Sequence, residues 1–353
     1  VGLCLEPKAV WVVTVTYGNR HQVVRRVVEA SLQNGVGGVV LVDNGSPQEN
    51  AARLRDFCGQ QRGCLRVRLE ENLGSAGGFA RGIQEAYDQG AELLWLLDDD
   101  NEPTPQALER LLWAYVHLGC DPQVVLVPMR EGGLGKAFAK LAHQGRPLDF
   151  VRDGFLGFHL ALKAEKALIR LFVLERDQTK GTPRFPLAQL GAAPYGGLLL
   201  HRSWVEKVGL PDPRLVLYED DTEFTLRIAE QGGRIYLASQ AEVRDLLPSW
   251  HWQNGGWFAP ESQEPMLYYR TRNLAYLEWR TRSHTAWVLL NQGAHLAWLF
   301  LKGLRLWRDP RRVLRRLAFL LEAVRDGRAG RLGKKYPLPG EEAGNAQAKE
   351  ETA

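Results

Sequence analysis

Between residues 9 and 130, short apolar runs take turns with stretches of helical period. The run 9–15 (Ala-Val-Trp-Val-Val-Thr-Val) has the uninterrupted apolarity of a strand covered on both faces. Segments 38–42, 65–69, 93–97 and 124–127 continue the series of strands. Between them Val23, Val27, Val28 and Leu32 recur at helical spacing, with further helices at about 51–58 and 79–89. Strands and helices in this order predict an α/β fold: right-handed βαβ units building a mainly parallel, Rossmann-like sheet flanked by helices. Such sheets gather the polar residues at the carboxyl ends of their strands into one crevice. Here those residues are Thr16, Asp43, Asn72 and the triplet Asp98-Asp99-Asp100.

From 131 to 193 the pattern loosens into glycines, amphipathic stretches and a proline-bearing loop, as in an insertion that shapes a substrate pocket. Sheet-like sequence resumes with Tyr195-Gly196-Gly197-Leu198-Leu199-Leu200, and 204–208 reads as a helix ending at Gly209. A strand at 234–238 and a helix opening near Tyr268 follow. Two C-terminal helices close the pattern. Trp287, Leu290, Ala294, Trp298, Leu301 and Leu304 line one face of the first; Val313, Leu314, Leu317, Leu321 and Val324 line the second, opposed by Arg312, Arg315 and Arg316. These shifts divide the chain into a catalytic unit at 1–280, a basic amphipathic segment at 281–335 and a polar, disordered tail at 336–353.

Composition is that of an ordinary globular protein, with 45% hydrophobic and 24% charged residues. Charge is less even. Residues 302–335 hold twelve basic and three acidic side chains, a local +9 against +4 for the whole chain. Basic charge concentrated in one segment fits an anionic surface touching one end of the molecule, and the amphipathic, Trp-bearing helices fit the interface of an anionic bilayer. Docking of both helices on the catalytic unit predicts the same period, and the two readings stand level. No nucleic-acid partner is expected. Cys4, Cys58, Cys64 and Cys120 form no CxxC pair and read as reduced thiols of a cytoplasmic protein. Neither a signal-type start nor an apolar stretch of about 18 residues occurs, so the chain is expected at the inner face of the membrane without crossing it.

The candidate chemistry lies in two acidic clusters. Three adjacent carboxylates after a buried strand resist burial unless a cation compensates them, and hard oxygen ligands suit Mg²⁺ or Mn²⁺. A solvated turn or a helix start is the competing reading, since Pro103 and Pro105 follow. The second cluster, Glu219-Asp220-Asp221-Thr222-Glu223, opens a helix and supplies more acids than one cap uses. An acid there with access to an acceptor hydroxyl is a candidate general base. Trp250-His251-Trp252 offers a platform able to pack or to stack on a sugar face. The dinucleotide fingerprint is missing after the first strand, where Tyr17-Gly18-Asn19 stands, and no P-loop lysine motif occurs.

Four motifs then carry a resemblance over about residues 9–280: Val42-Asp43-Asn44-Gly45-Ser46, Asn72-Leu73-Gly74-Ser75-Ala76-Gly77-Gly78-Phe79, Asp98-Asp99-Asp100 and the stretch from Glu219 to Arg227. In this order they resemble the inverting family 2 glycosyltransferases of the GT-A fold, above all their bacterial galactofuranosyl- and rhamnosyltransferase branch. The resemblance implies a nucleotide-sugar donor, UDP- or dTDP-linked, and a glycan or lipid-linked acceptor. It implies donor-binding roles for Thr16, Tyr17, Asp43, Asn72, Gly77, Gly78, Asp98 and Asp99. It implies Mn²⁺ or Mg²⁺ on Asp98, Asp100 and His251, with Asp221 as catalytic base and Asp220 beside it. Tyr195, Gly196, Gly197, Trp250 and Trp252 are expected on the acceptor side. The QxxRW motif of processive synthases is absent, which implies addition of one or a few sugars.

Overall fold

A computed structural model describes residues 6–131, 138, 150–164, 186–247, 256–339 and 341. The strands are β1 (Val10–Thr16), β2 (Gly38–Asn44), β3 (Cys64–Leu69), β4 (Leu93–Asp98), β5 (Asn101–Pro103), β6 (Val124–Glu131), β7 (Leu187–Leu190), β8 (Leu199–His201) and β9 (Arg234–Asp245). They form one sheet in the order β3-β2-β1-β4-β8-β6-β9-β5, with β7 also on β9. The block β3-β2-β1-β4 is parallel throughout, as the βαβ pattern predicts. The three-residue β8 joins this block to β6, antiparallel to both neighbours, and β6 runs parallel to β9. The sheet is therefore mixed: a sheet-like run such as 195–200 shows a strand but not which way it runs.

The helices are α1 (His21–Gln33), α2 (Gln48–Gln60), α3 (Gly74–Asp88), α4 (Ala107–His117), α5 (Ser203–Val208), α6 (Asp220–Glu230), α7 (Glu264–Thr281), α8 (Thr285–Trp307) and α9 (Pro310–Arg328). Alternation along β1 sends Val13 and Val15 into a core with Phe79, Ile83, Trp204 and Phe224. Val10 and Val12 face the opposite core of Val24, Leu54, Leu108 and Leu111. Helix α3 lies unusually close to the sheet. A Cβ at Gly78 would stand 2.4 Å from Val15 and one at Gly82 2.5 Å from Val13, so this small-residue stripe sets the helix-to-strand distance.

Helix α9 packs on α7, where Tyr268, Tyr269, Ala323 and Leu338 share one core. Arg316, expected on the polar face, is instead buried, paired with Glu264 at 3.3 Å. Helix α8 turns Val288, Asn291, His295, Leu299 and Gly303 inward. The stripe of Trp287, Leu290, Trp298 and Leu301 is the outward one. Among the described residues no helix is long and apolar enough to cross a membrane.

Two expectations change. Cys58 and Cys64 form a disulfide, and Cys120 is disulfide-bonded as well, so these are not reduced thiols. The turn between α2 and β3 brings Cys58 and Cys64 to a Cα–Cα distance of 5.3 Å, which a six-residue spacing does not announce. The polar tail also begins later than residue 336. Tyr336 packs beside Tyr268 and Leu338 is buried, because both reach back to α7.

Candidate active site

The loops at the carboxyl ends of β1, β2, β3, β4 and β6 meet the start of α6 around one cavity of about 900 Å³. That volume lies in the range of small-molecule sites. From β1 come Tyr17 and Arg20, from β2 Asn44, from the β3–α3 turn Asn72, Gly74 and Ser75, from β4 Asp98, Asp99 and Asp100, and from β6 Arg130. Tyr195 and the run from Tyr218 to Thr222 close the opposite side.

Neighbouring residues of the chain alternate across β2, and that decides which of them meets the cavity. Asn44 lines it. Asp43 is not in the lining; it is fully buried, taking Arg66 at 2.7 Å and Arg68 at 2.7 Å. Asn44 Nδ2 donates to Asn72 Oδ1 (3.0 Å) and to the Gly74 carbonyl (2.9 Å), and its Oδ1 accepts from the Leu73 N–H (2.9 Å). This clamp fixes the turn that opens α3. At Gly74 φ is +75° and a Cβ would fall 1.9 Å from the Val216 carbonyl oxygen, so the turn requires glycine. Gly77 and Gly78, expected to bind donor, pack against Leu73 and Val15 instead of lining the cavity.

The first acidic cluster is compensated by two arginines. Thr16 Oγ1 donates to Asp99 Oδ2 (2.8 Å), and Arg20 reaches Asp99 at 3.0 Å and Asp100 at 3.6 Å. Asp98 lies beside Arg130 and feels Asp100, Asp221 and Asp245. Arg130 itself is held by Asp245, its Nη2 donating over 2.6 Å and its Nε over 3.1 Å. Asn101 bridges the same corner, accepting from the Asp98 N–H (3.3 Å) and donating to Asp245 (3.0 Å). Burial pushes Asp98 and Asp99 up to about 7, with Arg130 and Arg20 respectively pulling the other way. Gly196 serves this corner: a Cβ there would stand 2.4 Å from Arg130 Nη1 and 2.4 Å from Asn101 Oδ1.

The second cluster is met mainly by neutral donors, with Arg130 acting on Asp221 and Arg270 on Glu219 from a distance. Val216, Tyr218 and Glu219 precede α6 with φ of +68°, +67° and +61°. Left-handed backbone at three non-glycine residues stores strain of the kind found at functional sites. Ser75 Oγ donates to both carboxylate oxygens of Asp220 (2.9 and 2.9 Å). Asp221 accepts from the Thr222 N–H (2.7 Å) and hydroxyl (3.3 Å). Burial, then the Asp221 charge, raises Asp220 well above the carboxylate range, and burial with Glu219 raises Asp221 to about 6. Glu223 has a different task, pairing with Arg227 at 2.9 Å and Arg280 at 2.9 Å. Tyr195 stacks beside Phe79 with 4.3 Å between ring centroids, and its buried hydroxyl has no partner among the described residues.

Thr16, Tyr17, Asn72, Asp98, Asp99, Asp100, Tyr195, Asp220 and Asp221 are thus brought to one place, with Thr16 acting from behind Asp99. Trp250, His251 and Trp252 lie outside the described residues. Among the described residues no three His, Cys, Asp or Glu side chains form a preassembled metal cage. Sequence reasoning passed over Arg20, Asn44, Ser75, Arg130 and Asp245. Arg130 stands one residue before the end of β6 and Asp245 ends β9, near the positions that mark crevice residues in open sheets.

Comparison with known proteins agrees with this geometry. The profile of glycosyl transferase family 2 matches residues 11–167, which hold β1 to β6, both asparagines and the Asp98 triplet. Galactofuranosyltransferase GlfT1 of Mycolicibacterium smegmatis is 28% identical over 250 residues, covering 62% of this chain and 79% of the relative. The GlfT1 of Mycobacterium tuberculosis H37Rv is 24% identical over 228 residues, covering 64% of this chain and 66% of the relative. Among solved structures, the mannosyltransferase PcManGT from Pyrobaculum calidifontis shares 15% identity at a TM-score of 0.48, covering 93% of this chain and 90% of that one. The matched profile and the converging strand-end residues agree: residues 11–167 match glycosyl transferase family 2, and with the residues that this stretch brings together they support reading the chain as a glycosyltransferase.

Proposed function

We propose that this enzyme transfers a single sugar, galactofuranose or a related hexose, from a UDP- or dTDP-linked donor to a glycan or lipid-linked acceptor, with inversion and with a divalent cation. The observation that carries the reading is the pairing of two unlike carboxylate clusters across one cavity, Asp98-Asp99-Asp100 facing Asp220-Asp221. The likeness to the two GlfT1 proteins supports galactofuranose as the sugar.

Asp221 takes the acceptor hydroxyl proton while that oxygen attacks the anomeric carbon. The bond from that carbon to the diphosphate oxygen breaks on the opposite face, the nucleoside diphosphate leaves, and configuration inverts in one displacement. Asp220, held by Ser75 and raised furthest, keeps its proton and so spares Asp221 a second adjacent negative charge. Asn44 and Asn72 present the donor side, with Tyr17 and Arg20 above it. Tyr195 faces the acceptor with an unspent hydroxyl.

The donor set suits a hard cation: Asp98 and Asp100 are carboxylates in a buried corner crowded by further negative charge. Asp98 and Asp100, joined by His251, would hold Mn²⁺ or Mg²⁺, which supplies Lewis-acid stabilisation of charge on the departing diphosphate. Thermal shift on the purified chain tests this directly. Mn²⁺ and UDP are each expected to raise the melting temperature, and Asp98→Asn to abolish the Mn²⁺ effect. No shift with any nucleotide or nucleotide sugar overturns the donor assignment.

The outward face of α8 supports a peripheral membrane site. Trp287, Leu290, Trp298 and Leu301 are 44%, 50%, 45% and 66% exposed along one stripe. Exposed Arg305, Arg308, Arg311 and Arg315 follow at its end. An apolar stripe beside like positive charges complements an anionic lipid surface and repels a second copy of itself. Vesicles of phosphatidylglycerol are expected to retain the full chain, phosphatidylcholine vesicles not, and Leu290→Ser with Trp298→Ser to abolish retention. Retention unchanged in that variant, or a dimer lost in its place, overturns the membrane reading.

A further inference from the structure

Beyond α9 the chain turns back along α7, and residues 334–339 reach the catalytic cavity. The buried Arg272 donates to the Leu215 carbonyl (2.9 Å) and to the Gly333 carbonyl, while the Gly333 N–H donates to the Arg214 carbonyl (2.6 Å). Tyr269 Oη then accepts from the N–H groups of Lys335 and Tyr336, at 2.9 Å each, and donates to the Tyr336 carbonyl (2.7 Å). Asp326 accepts from Tyr268 Oη (2.6 Å) and from Lys335 Nζ (2.9 Å). At the far end Asn72 Nδ2 donates to the Pro339 carbonyl (3.2 Å) and Lys334 Nζ to the Asn72 carbonyl (3.4 Å). Leu338 and Pro339 line the cavity together with Asn44 and Asn72.

We infer that residues 334–339 are a fixed wall of the donor side of the cavity and set the affinity for the nucleotide. The inference rests on the donor assignment made above for Asn44 and Asn72. Three observations favour a wall over a plug. The cavity keeps about 900 Å³ with the segment in place. Leu338 is 1% exposed and packed with Tyr268, Tyr269 and Ala323, so it reaches the cavity only as the edge of the α7–α9 core and does not fill it. The segment is pinned by Tyr269 of α7 and Asp326 of α9, with Arg272 of α7 holding Gly333 just before it, which gives it the rigidity of an element and not of a lid. Segment 334–339 thus hands part of the donor site to the C-terminal helices, more than 260 residues from Asn72 in the chain.

The test compares three forms: the full chain, a chain ending at Glu341 and a chain ending at Gly333. UDP with MnCl₂ is the binding probe, read by calorimetry, and transfer from UDP-galactofuranose gives kcat and the donor KM. The chain ending at Glu341 is expected to match the full chain. Ending at Gly333 is expected to weaken UDP at least about tenfold and raise donor KM to match, with kcat and acceptor KM within about threefold. Should the shorter chain not fold, Leu338→Ala and Lys334→Gln, checked by unliganded melting temperature, carry the same expectation at about threefold to fivefold. UDP binding unchanged or tightened in the folded variants overturns the wall. If the full chain itself binds neither UDP nor dTDP, the donor assignment falls and the wall falls with it; if it binds and the variants bind equally, the wall alone falls.

Discussion

The two acidic clusters look alike in the chain, yet their surroundings give them different chemistry. Asp98-Asp99-Asp100 is met by cations, Arg20 at 3.0 Å from Asp99 and Arg130 held beside Asp98 by Asp245. Asp220-Asp221 is met by neutral donors, the Ser75 hydroxyl and the Thr222 backbone and hydroxyl. Burial raises both clusters, Asp98 and Asp99 to about 7 and Asp221 to about 6, so the difference lies in their partners and not in how far they are raised. A carboxylate tied to arginines is fixed in place, whereas one met by hydroxyl and backbone donors is free to take a proton from a substrate. Among the described residues Glu223 is the acid of the second cluster with arginine ion pairs, and it supports α6 from outside the lining.

Breaking the contrast at its proton-transfer end gives the largest effect. Asp221→Asn is expected to lower kcat by ~10²–10⁴-fold, with UDP affinity unchanged by calorimetry; activity kept within threefold would remove Asp221 from the base role. Next is Asp98→Asn, where a loss of about 3 kcal/mol of transition-state stabilisation, on the order of 10²-fold, is expected along with the Mn²⁺ response. A variant that keeps full Mn²⁺ stabilisation would place the cation elsewhere. The pH dependence of kcat comes third. The base must be ionised to work and Asp221 is raised to about 6, so kcat is expected to be full above that pH and to fall tenfold per unit below it. An acid limb at the ordinary carboxylate value, near 4, would contradict its burial.

Arg20→Met leaves Asp99 buried without its nearest cation, and chemical denaturation should show about 1.5–3 kcal/mol of lost stability, partly recovered in Arg20→Lys. Ser75→Ala is the smallest change. It removes one neutral hydroxyl from Asp220 and is expected to cost about 1 kcal/mol with kcat altered only a few-fold. A larger kcat loss than Arg20→Met produces would show that the neutral cluster depends on its donors as strongly as the charged one depends on its arginines.

The alternation of β1, β2, β3 and β4 with α1, α2 and α3 was legible because buried parallel strands and amphipathic helices leave long periodic traces. The strand-end rule also found Thr16, Asn72 and the Asp98 triplet without any knowledge of contacts. At the end of β2 it named Asp43, whose side chain the register turns to Arg66 and Arg68, while Asn44 lines the cavity. Gly77 and Gly78 read as pocket glycines but act through the packing of α3. The disulfide at Cys58 and Cys64 left no trace, since its geometry is made by a turn and not by a motif.

Helix α8 shows the same limit. Its apolar stripe was visible from the start, but Val288, Leu299 and the buried polar Asn291 make the inward face, and the stripe remains outside. By itself, then, the sequence determined where strands and helices lie, which residues sit at strand ends and how charge is spread, because these depend on neighbours a few positions apart. Only the tertiary structure decided that Arg20 and Arg130 answer the first acidic cluster, that Ser75 answers the second and that Pro339 closes on Asn72. Those pairings join residues from 32 apart, Asp98 and Arg130, to 267 apart, Asn72 and Pro339, and they follow from register and helix rotation, which local periodicity does not encode.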